Sequence, residues 1–426
     1  DLTSVRVTPL PMTGPAAEHP PVPEALKPLA GDKQTFTGGV WMMQSGSWQV
    51  RLYADGAKGS GVVSVPVPSV ARGTKKMQTA MGVALSLFGL FLVVGVIAIV
   101  GASARESQLA EALSPGSAER TRARRAMAIA SVLVVAALAG GWVWWDAEAA
   151  DYGRYIYKPL AMDASVNDGA LTVQVKDPGW VKQRRLDDLV PDHDHLMHLY
   201  AVRMPQMDAV YHLHPEQAEP GVFRIALPKL EPGRYQLFAD IVHASGFPET
   251  IVGAAEVPAN STGPLKGDDA GGVVKARGSA LDSTYVLPDG YRVVWERPAE
   301  LKAKQPETFR FKVVDAQERP AHDMQLYMGM LGHAAFLRTD APGTVFAHVH
   351  PAGSVAMPAL DLAQKQNETS GGKTDAMPGM HMASDPSLPN EVGFPYGFST
   401  AGSYRIIVQM KHSGTVETAV FDADVK

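Results

Sequence analysis

Histidine is rare in this sequence but recurs in two matched sets, and imidazole is a common metal ligand in proteins. The chain has 13 histidines in 426 residues. VYHLHP (210–215) and VFAHVHP (345–351) share a His-x-His-Pro core, and PGRYQLFADIVH (232–243) aligns without a gap with AGSYRIIVQMKH (401–412). Eight histidines thereby form four matched pairs: His198/His333, His212/His348, His214/His350 and His243/His412.

The spacing of each pair suits chelation. Residues i and i+2 of a strand project from the same face, so a His-x-His strand presents two imidazoles side by side. A third from the preceding strand, and a fourth from the end of a later one, would complete three- or four-coordinate binding. Neutral imidazole suits copper, zinc, nickel and iron. The alternative is that these histidines are polar residues that close a β-domain. The joint recurrence of all four positions favours metal binding.

Methionine indicates which metal. A segment rich in Gly, Ser, Pro and Met contains MPGMHM, which places Met380, His381 and Met382 side by side. Thioether sulfur is soft and selects Cu(I), whereas imidazole accommodates both copper oxidation states. Met328 and Met330 also stand where the first copy has His193 and His195. Copper is therefore the predicted metal, with zinc, or a scaffold without metal, as the alternatives.

Composition excludes several other kinds of site. The chain has no cysteine, which removes disulfides, cysteine zinc sites, iron–sulfur clusters and the blue-copper centre. The net charge is -5 and no long basic block is present, so nucleic-acid binding is not expected. The sequence has no GxSxG, HExxH or P-loop motif, and we predict that the protein is not an enzyme.

Two long uncharged segments predict a membrane hairpin. Residues 77–103 and 126–145 carry no charge, and about 20 apolar residues suffice to cross a bilayer. The intervening loop, 104–125, carries five arginines and is predicted to be cytoplasmic. The flanking domains would then be extracytoplasmic, periplasmic at a bacterial inner membrane. The first residue is Asp1, which is consistent with removal of an export signal.

Outside the hairpin, short alternating segments broken by Gly and Pro predict strands in antiparallel sandwiches or small barrels. We expect a mainly β protein in four parts, in which the N-terminal part is a degenerate copy of the β unit without the histidines. The predicted parts are an N-terminal β-domain (1–74), the hairpin (75–147), repeat 1 (160–258) and repeat 2 (283–426), with a Met-rich insertion at 356–391.

The first repeat resembles bacterial secreted domains of the YtkA-like and heavy-metal-associated group. The likeness is carried by Met197–Leu199, the aromatic-His-x-His-Pro turn at Tyr211–Pro215, and Pro232–Tyr235. The second repeat is similar to companion domains of such proteins. The resemblance implies an immunoglobulin- or cupredoxin-like β-sandwich and an association with copper handling, and it does not include the membrane hairpin.

Three functions remain open at this point. The first is a membrane-anchored, extracytoplasmic copper-binding protein for storage, delivery or resistance. The second is a non-catalytic accessory subunit, since β-modules on a hairpin could bridge other subunits of a membrane complex. The least favoured is a copper-oxygenase subunit: the B subunit of particulate methane and ammonia monooxygenases also combines β-domains with two spans, but that is a likeness of architecture only.

Overall fold

The protein divides into a membrane-type helical unit and a larger β unit. The computed structural model describes residues 2–29, 32–110, 113–180, 184–259, 261–274, 282–352 and 388–426. One unit comprises Ala71–Tyr157, and the other comprises Asp1–Val70 together with Lys158–Lys426. The chain is mainly β, with two long apolar helices, as the sequence predicts.

The helical unit is an α-helical hairpin of α1 (Thr79–Glu106) and α2 (Ser117–Tyr155). Both helices are long and apolar enough to cross a membrane, and their apolar side chains are largely exposed. The side chain of Glu119 accepts a bond from the Gly116 N–H and so caps the start of α2. The second helix begins inside the predicted loop and continues beyond the predicted end at residue 147.

The N-terminal segment forms its own antiparallel sheet. Its strands are β1 (Leu2–Pro11), β2 (Glu24–Ala25), β3 (Lys27–Leu29), β4 (Asp32–Thr37), β5 (Gly46–Gly56) and β6 (Gly59–Ser69), with a short 3-10 helix at Pro15–Ala17. The main sheet has the order β2-β1-β5-β6, and β3 pairs with β4. Val7, Leu10 and Trp48 are buried on this sheet.

Repeat 1 is a β-sandwich of two antiparallel sheets. Its strands are β7 (Ala161–Asn167), β8 (Ala170–Lys176), β9 (His198–Arg203), β10 (Ala209–Leu213), β11 (Glu216–Glu219), β12 (Val222–Ala226), β13 (Gly233–Val242), β14 (Pro248–Val257) and β15 (Ala270–Val273). The sheet orders are β14-β13-β9-β10-β15 and β11-β12-β8-β7. Val173 and Phe223 from the second sheet share one core with Leu237 from the first.

Repeat 2 has a similar construction. Its strands are β16 (Thr284–Val286), β17 (Arg292–Trp295), β18 (Pro306–Val314), β19 (Met324–Gln325), β20 (His333–Arg338), β21 (Phe346–Val349), β22 (Glu391–Gly397), β23 (Gly402–His412) and β24 (Thr415–Val425). One sheet has the order β16-β17-β18-β22; the other has β19-β23-β20-β21, with β24 on β23. Phe309 and Phe311 share a core with Phe336 of the facing sheet.

A third hydrophobic core joins the two repeats. It contains Tyr200 and Phe238 from repeat 1 and Ala335, Leu337 and Ile407 from repeat 2. The central strands β9 and β20 are therefore buried on both faces, one toward their own sandwich and one toward the other repeat. We call this shared face the junction. Histidines of both repeats project from this surface.

Candidate metal centre at the junction of the repeats

Strand parity decides which histidines reach the junction. On β9, Leu199 and Ala201 point into the core of repeat 1, so His198 and Tyr200 face repeat 2. By the same alternation, β20 directs Ala334 and Phe336 into its own core. His333 therefore faces repeat 1, and the two matched histidine sets meet at one place.

The first group of ligand candidates is His198, His212 and His214, which lie entirely within repeat 1. One ring nitrogen from each lies within 4.8 Å of the others, and all three residues are buried. His212 lies on β10, directly beside β9, and its ring stacks on Tyr200 with centroids 4.1 Å apart. The stacking and the strand pairing hold the imidazole in place.

The tautomers of two of these rings follow from their outer partners. Nε2 of His198 lies 3.1 Å from the carbonyl oxygen of Asp192, and Nδ1 of His212 lies 3.0 Å from Oε1 of Gln409. The Tyr327 hydroxyl lies 3.3 Å from the same Nδ1 of His212 and donates its one proton to the Asp268 carbonyl oxygen, so it can only accept from His212. Carbonyl and amide oxygens only accept, so each of these outer ring nitrogens carries its proton. The inner nitrogens are therefore lone-pair acceptors.

Those two inner nitrogens face each other. Nδ1 of His198 is 3.1 Å from Nε2 of His212. Two acceptors at this separation repel unless a proton or a cation lies between or beside them. Ligand nitrogens about 2.0–2.1 Å from one tetrahedral ion lie about 3.3–3.4 Å apart, so the observed separation is close to that of two ligands of a single metal.

His214 is the third member of this group, and one of its ring nitrogens also faces an oxygen acceptor. Its Nδ1 lies 3.2 Å from Oδ1 of Asp269, which also accepts from the His214 backbone N–H. Its Nε2 is buried and has no hydrogen-bond partner. Asp269 is held there because β15 lies directly on β10. That approach requires glycine at position 271, since a Cβ would collide with the Val210 carbonyl oxygen.

The second group contains residues from both repeats. One ring nitrogen of His193, His333 and His350 lies within 4.8 Å of the others. His333 is fully buried, and neither of its ring nitrogens has a hydrogen-bond partner. An unsatisfied buried polar group costs about 1–3 kcal/mol, so His333 is a strong candidate for a ligand. Nε2 of His193 and of His350 lie 3.6 and 3.9 Å from the Asp192 carboxylate, without a hydrogen bond.

Two further histidines border these groups. The ring of His348 lies 5.3 Å from those of His198 and His333, between centroids. Its Nδ1 pairs with Asp240 at 3.2 Å across the junction, and its Nε2 is buried without a partner. His195 stacks on His214 at 4.0 Å and is the most exposed of the set, with 26% of its side chain accessible.

Six of the junction histidines have a pKa that favours the neutral imidazole. Burial lowers the pKa of His198, His212 and His333 well below the ordinary value. Burial likewise lowers the pKa of His193, His214 and His350. Crowding by neighbouring imidazoles lowers all six further, because two adjacent rings resist carrying charge together. Neutral rings have the lone pairs that a metal ion requires.

His243 and His412 do not join the cluster, which corrects the expectation of a fourth ligand from each later strand. On β13, Leu237, Ala239 and Ile241 face the core of repeat 1, and His243 has the same parity. His243 therefore lies on the opposite side of the sheet from His198. Its two ring nitrogens pair with Asp188 at 2.9 Å and Glu249 at 3.0 Å.

His412 lies apart for the same reason. Its parity on β23 matches Ile406, Val408 and Met410, which face the core of repeat 2. It forms a separate group with Asp289 and Glu417, and its Nε2 lies 3.2 Å from the Asp289 carboxylate.

The predicted ligands Met380, His381 and Met382 lie outside the described residues. Of the predicted ligands, the described residues include the eight matched histidines.

Sequence reasoning left several of these residues out of the ligand set. His193 and His195 flank a tight turn at Asp192–His195 with positive φ at His193 and Asp194. The run DHDHLMH (192–198), with three histidines in seven residues, indicates that these histidines could belong to the ligand set. Asp269 and Gln409 carry no such signal, because one follows a loop and the other comes from the opposite repeat.

Comparison with known sequences identifies the two repeats as one family. A domain of unknown function, DUF8832, matches residues 162–257 and 284–426, which is more than half of the chain. The chain belongs to this family. The matched segments contain every histidine of the junction and leave out the helical hairpin. No curated protein matches the chain.

Solved structures give only distant likenesses. Domains 4 and 5 of the S-layer protein SbsC are 12% identical with a TM-score of 0.17, over 61% of this chain and 84% of that one. The chicken CNTN1 FN1–FN3 domains are 6% identical with a TM-score of 0.16, over 100% of this chain and 89% of that one. TM-scores this low do not establish a shared fold.

Proposed function

We propose that this chain is a membrane-anchored, extracytoplasmic metal-binding protein that handles copper. The observation that carries the proposal is the pair of facing lone pairs on His198 and His212, both enforced by acceptors on the outer side of each ring. A buried polar cluster of this kind needs a compensating partner. A metal ion supplies one without adding a proton to either ring.

The surroundings of the rings support a metal rather than a structural role. Metal-binding histidines usually donate their second N–H to a carboxylate, a carbonyl or another fixed acceptor, which orients the ring. His198, His212 and His214 each have such an acceptor in Asp192, Gln409 and Asp269. Structural histidines, by contrast, have both ring nitrogens satisfied within the protein.

Copper is favoured over zinc by affinity and by chemistry. At nitrogen sites Cu²⁺ binds more tightly than Zn²⁺, and imidazole accommodates both oxidation states of copper. The resemblance to YtkA-like, heavy-metal-associated domains points the same way. The same resemblance implies that the two sandwiches are immunoglobulin- or cupredoxin-like.

The helical hairpin supports the proposed location of the protein. Two helices long and apolar enough to span the bilayer, with arginine concentrated between them, favour an anchor whose tip is cytoplasmic. The β repeats would then meet copper outside the cytoplasm, at a bacterial inner membrane. The exposed edge of His195, beside the accessible carboxylate of Asp268, offers a cation a first contact.

Metal analysis of the full chain in detergent at neutral pH tests the proposal. We expect bound copper in wild type and a marked loss in the double variant His212→Ala/His214→Ala. His322→Ala is the matched control, because His322 is exposed and lies outside the junction. Copper and zinc at background in wild type, or equal metal in the double variant, would refute the proposal.

A further inference from the structure

We infer that the junction is a two-ion site, with one ion in each histidine group, and that the second ion is held by both repeats together. This inference rests on the proposed metal-binding function and goes beyond it in number, position and consequence. A simple carrier would have one metal site within each repeat, whereas here one metal ion would link the two repeats.

Duplication alone would give two equivalent triads, one in each repeat. The first triad follows that rule, since His198, His212 and His214 all belong to repeat 1. The second does not. It combines His333 and His350 of repeat 2 with His193, which stands on the tight turn that precedes β9 in repeat 1.

The matched turn of repeat 2 explains this asymmetry. There the bridge joins Tyr327 and Met330, and Met328 takes the place that His193 has in repeat 1. Tyr327 donates from its hydroxyl to the Asp268 carbonyl oxygen, a contact between the repeats. Of the two matched turns, the one in repeat 1 supplies a histidine, His193, and this residue groups with His333 and His350 of repeat 2.

The number of ligand candidates, rather than the distance between the groups, favours two ions. Three imidazoles in each group converge within 4.8 Å, which is the scale of one coordination sphere. These six imidazoles exceed the four ligands that one tetrahedral ion takes, and the two groups adjoin, with the ring centroids of His212 and His333 6.0 Å apart. His348 lies between the groups with an unpartnered, buried Nε2, so it is available to either ion.

Unpartnered atoms provide independent support for the second ion. The buried ring nitrogens without hydrogen bonds include both of His333 and the Nε2 atoms of His193, His348 and His350. Across the described part of the junction, these atoms outnumber what a single ion in the first triad could satisfy. A second ion would take one nitrogen from each of the rings of its group.

Copper stoichiometry and electron paramagnetic resonance of Cu²⁺-loaded full chain in detergent test the inference. Wild type should bind two Cu²⁺ with dipolar coupling between them. His214→Gln should bind one, with an uncoupled spectrum. His193→Asn should also bind one, although repeat 2 is untouched; asparagine tolerates the positive φ of 48° at this position. His322→Gln should behave as wild type.

The outcomes separate this inference from the proposed function. No copper in wild type refutes both. One copper in wild type, unaffected by His193→Asn, leaves the proposed function standing and overturns the two-ion site. Two uncoupled coppers also overturn it, because the ions would then be far apart. Circular dichroism identifies any variant that is unfolded, and His350→Gln then replaces His193→Asn as the probe of the second group.

Discussion

Histidine has different partners at the junction and at His243. At the junction, ring nitrogens face one another or lie buried without a partner. At His243, both ring nitrogens face carboxylates, and Arg184 binds Glu249 at 2.5 Å to complete a buried ion network. The first region needs a ligand from outside, whereas the second is complete without one.

This difference shows that the partners of a histidine, rather than its presence in a repeated motif, determine what it can do. Partner carboxylates raise the pKa of His243 even though burial opposes the rise, whereas burial and crowding lower the pKa of six junction histidines. A charged imidazole cannot bind a metal, and a neutral one can. The two regions should therefore respond in opposite ways to acid, to substitution and to copper.

The largest expected effect is the acid sensitivity of the metal-free protein. A pKa lowered in the folded state means that the unfolded chain binds more protons below about pH 6.5, so stability falls as the pH falls. Each of the six histidines with a lowered pKa contributes up to about 1.4 kcal/mol per pH unit. Urea unfolding with a chelator present, at about pH 7, 6 and 5, should show a steep loss.

His243 contributes with the opposite sign, because its raised pKa stabilises the fold at low pH and that contribution is lost as the pH rises through the folded-state pKa. His333→Gln should flatten the acid dependence, since it removes one buried neutral base. A metal-free protein with equal stability from about pH 7 to 5 would contradict the description of the junction.

The next effect is on the ion network. Glu249 is fully buried, and Glu249→Gln removes one charge from a network that also contains Arg184 and His243. Breaking a buried pair in this way typically costs about 3–5 kcal/mol of unfolding free energy. Copper stoichiometry of the folded fraction should be unchanged. Loss of copper from well-folded Glu249→Gln would show that the two regions are not independent.

A smaller effect is expected from an acceptor that orients a ligand. Asp269→Ala removes the carboxylate that fixes the His214 ring and should weaken copper binding by about 10–100-fold. The neighbouring Asp268→Ala is the matched control, because Asp268 is more exposed and pairs with the accessible His195. Competition with a chromophoric chelator measures both. Equal affinities in the two variants would count against the assigned role of Asp269.

The smallest effect is expected at His412. Asp289 is 37% exposed on its side chain, so Asp289→Asn weakens a solvent-screened contact with His412 that is worth about 0–1 kcal/mol. Thermal unfolding should shift only slightly, and copper stoichiometry should stay the same. A loss of one copper would show that the Asp289–His412–Glu417 group also binds metal.

Much of this organisation was visible in the sequence. The β-rich character, the two repeats and the apolar hairpin follow from alternation, alignment and uncharged length. The proximity of His198 to His212 and His214 follows from strand periodicity. Strand alternation also predicts that His243 faces away from the junction. It lies an odd number of residues from Phe238 and Asp240, which face the junction.

The contact between the two repeats could not be predicted from the sequence pattern. It depends on β9 and β20 being apolar on both faces, a pattern that a strand buried within one sandwich can also show. Gln409 orients His212 from the other repeat, 197 residues away in sequence. No local pattern encodes a contact of that kind.

The central claim is that the histidines of the junction bind metal. Crystals of copper-loaded protein, with anomalous scattering measured at the copper edge, test it most directly. We expect a peak about 2.0–2.1 Å from Nδ1 of His198 and from Nε2 of His212 and His214, with a second peak among His193, His333 and His350. No peak at the junction, with copper found only elsewhere or nowhere, would contradict it.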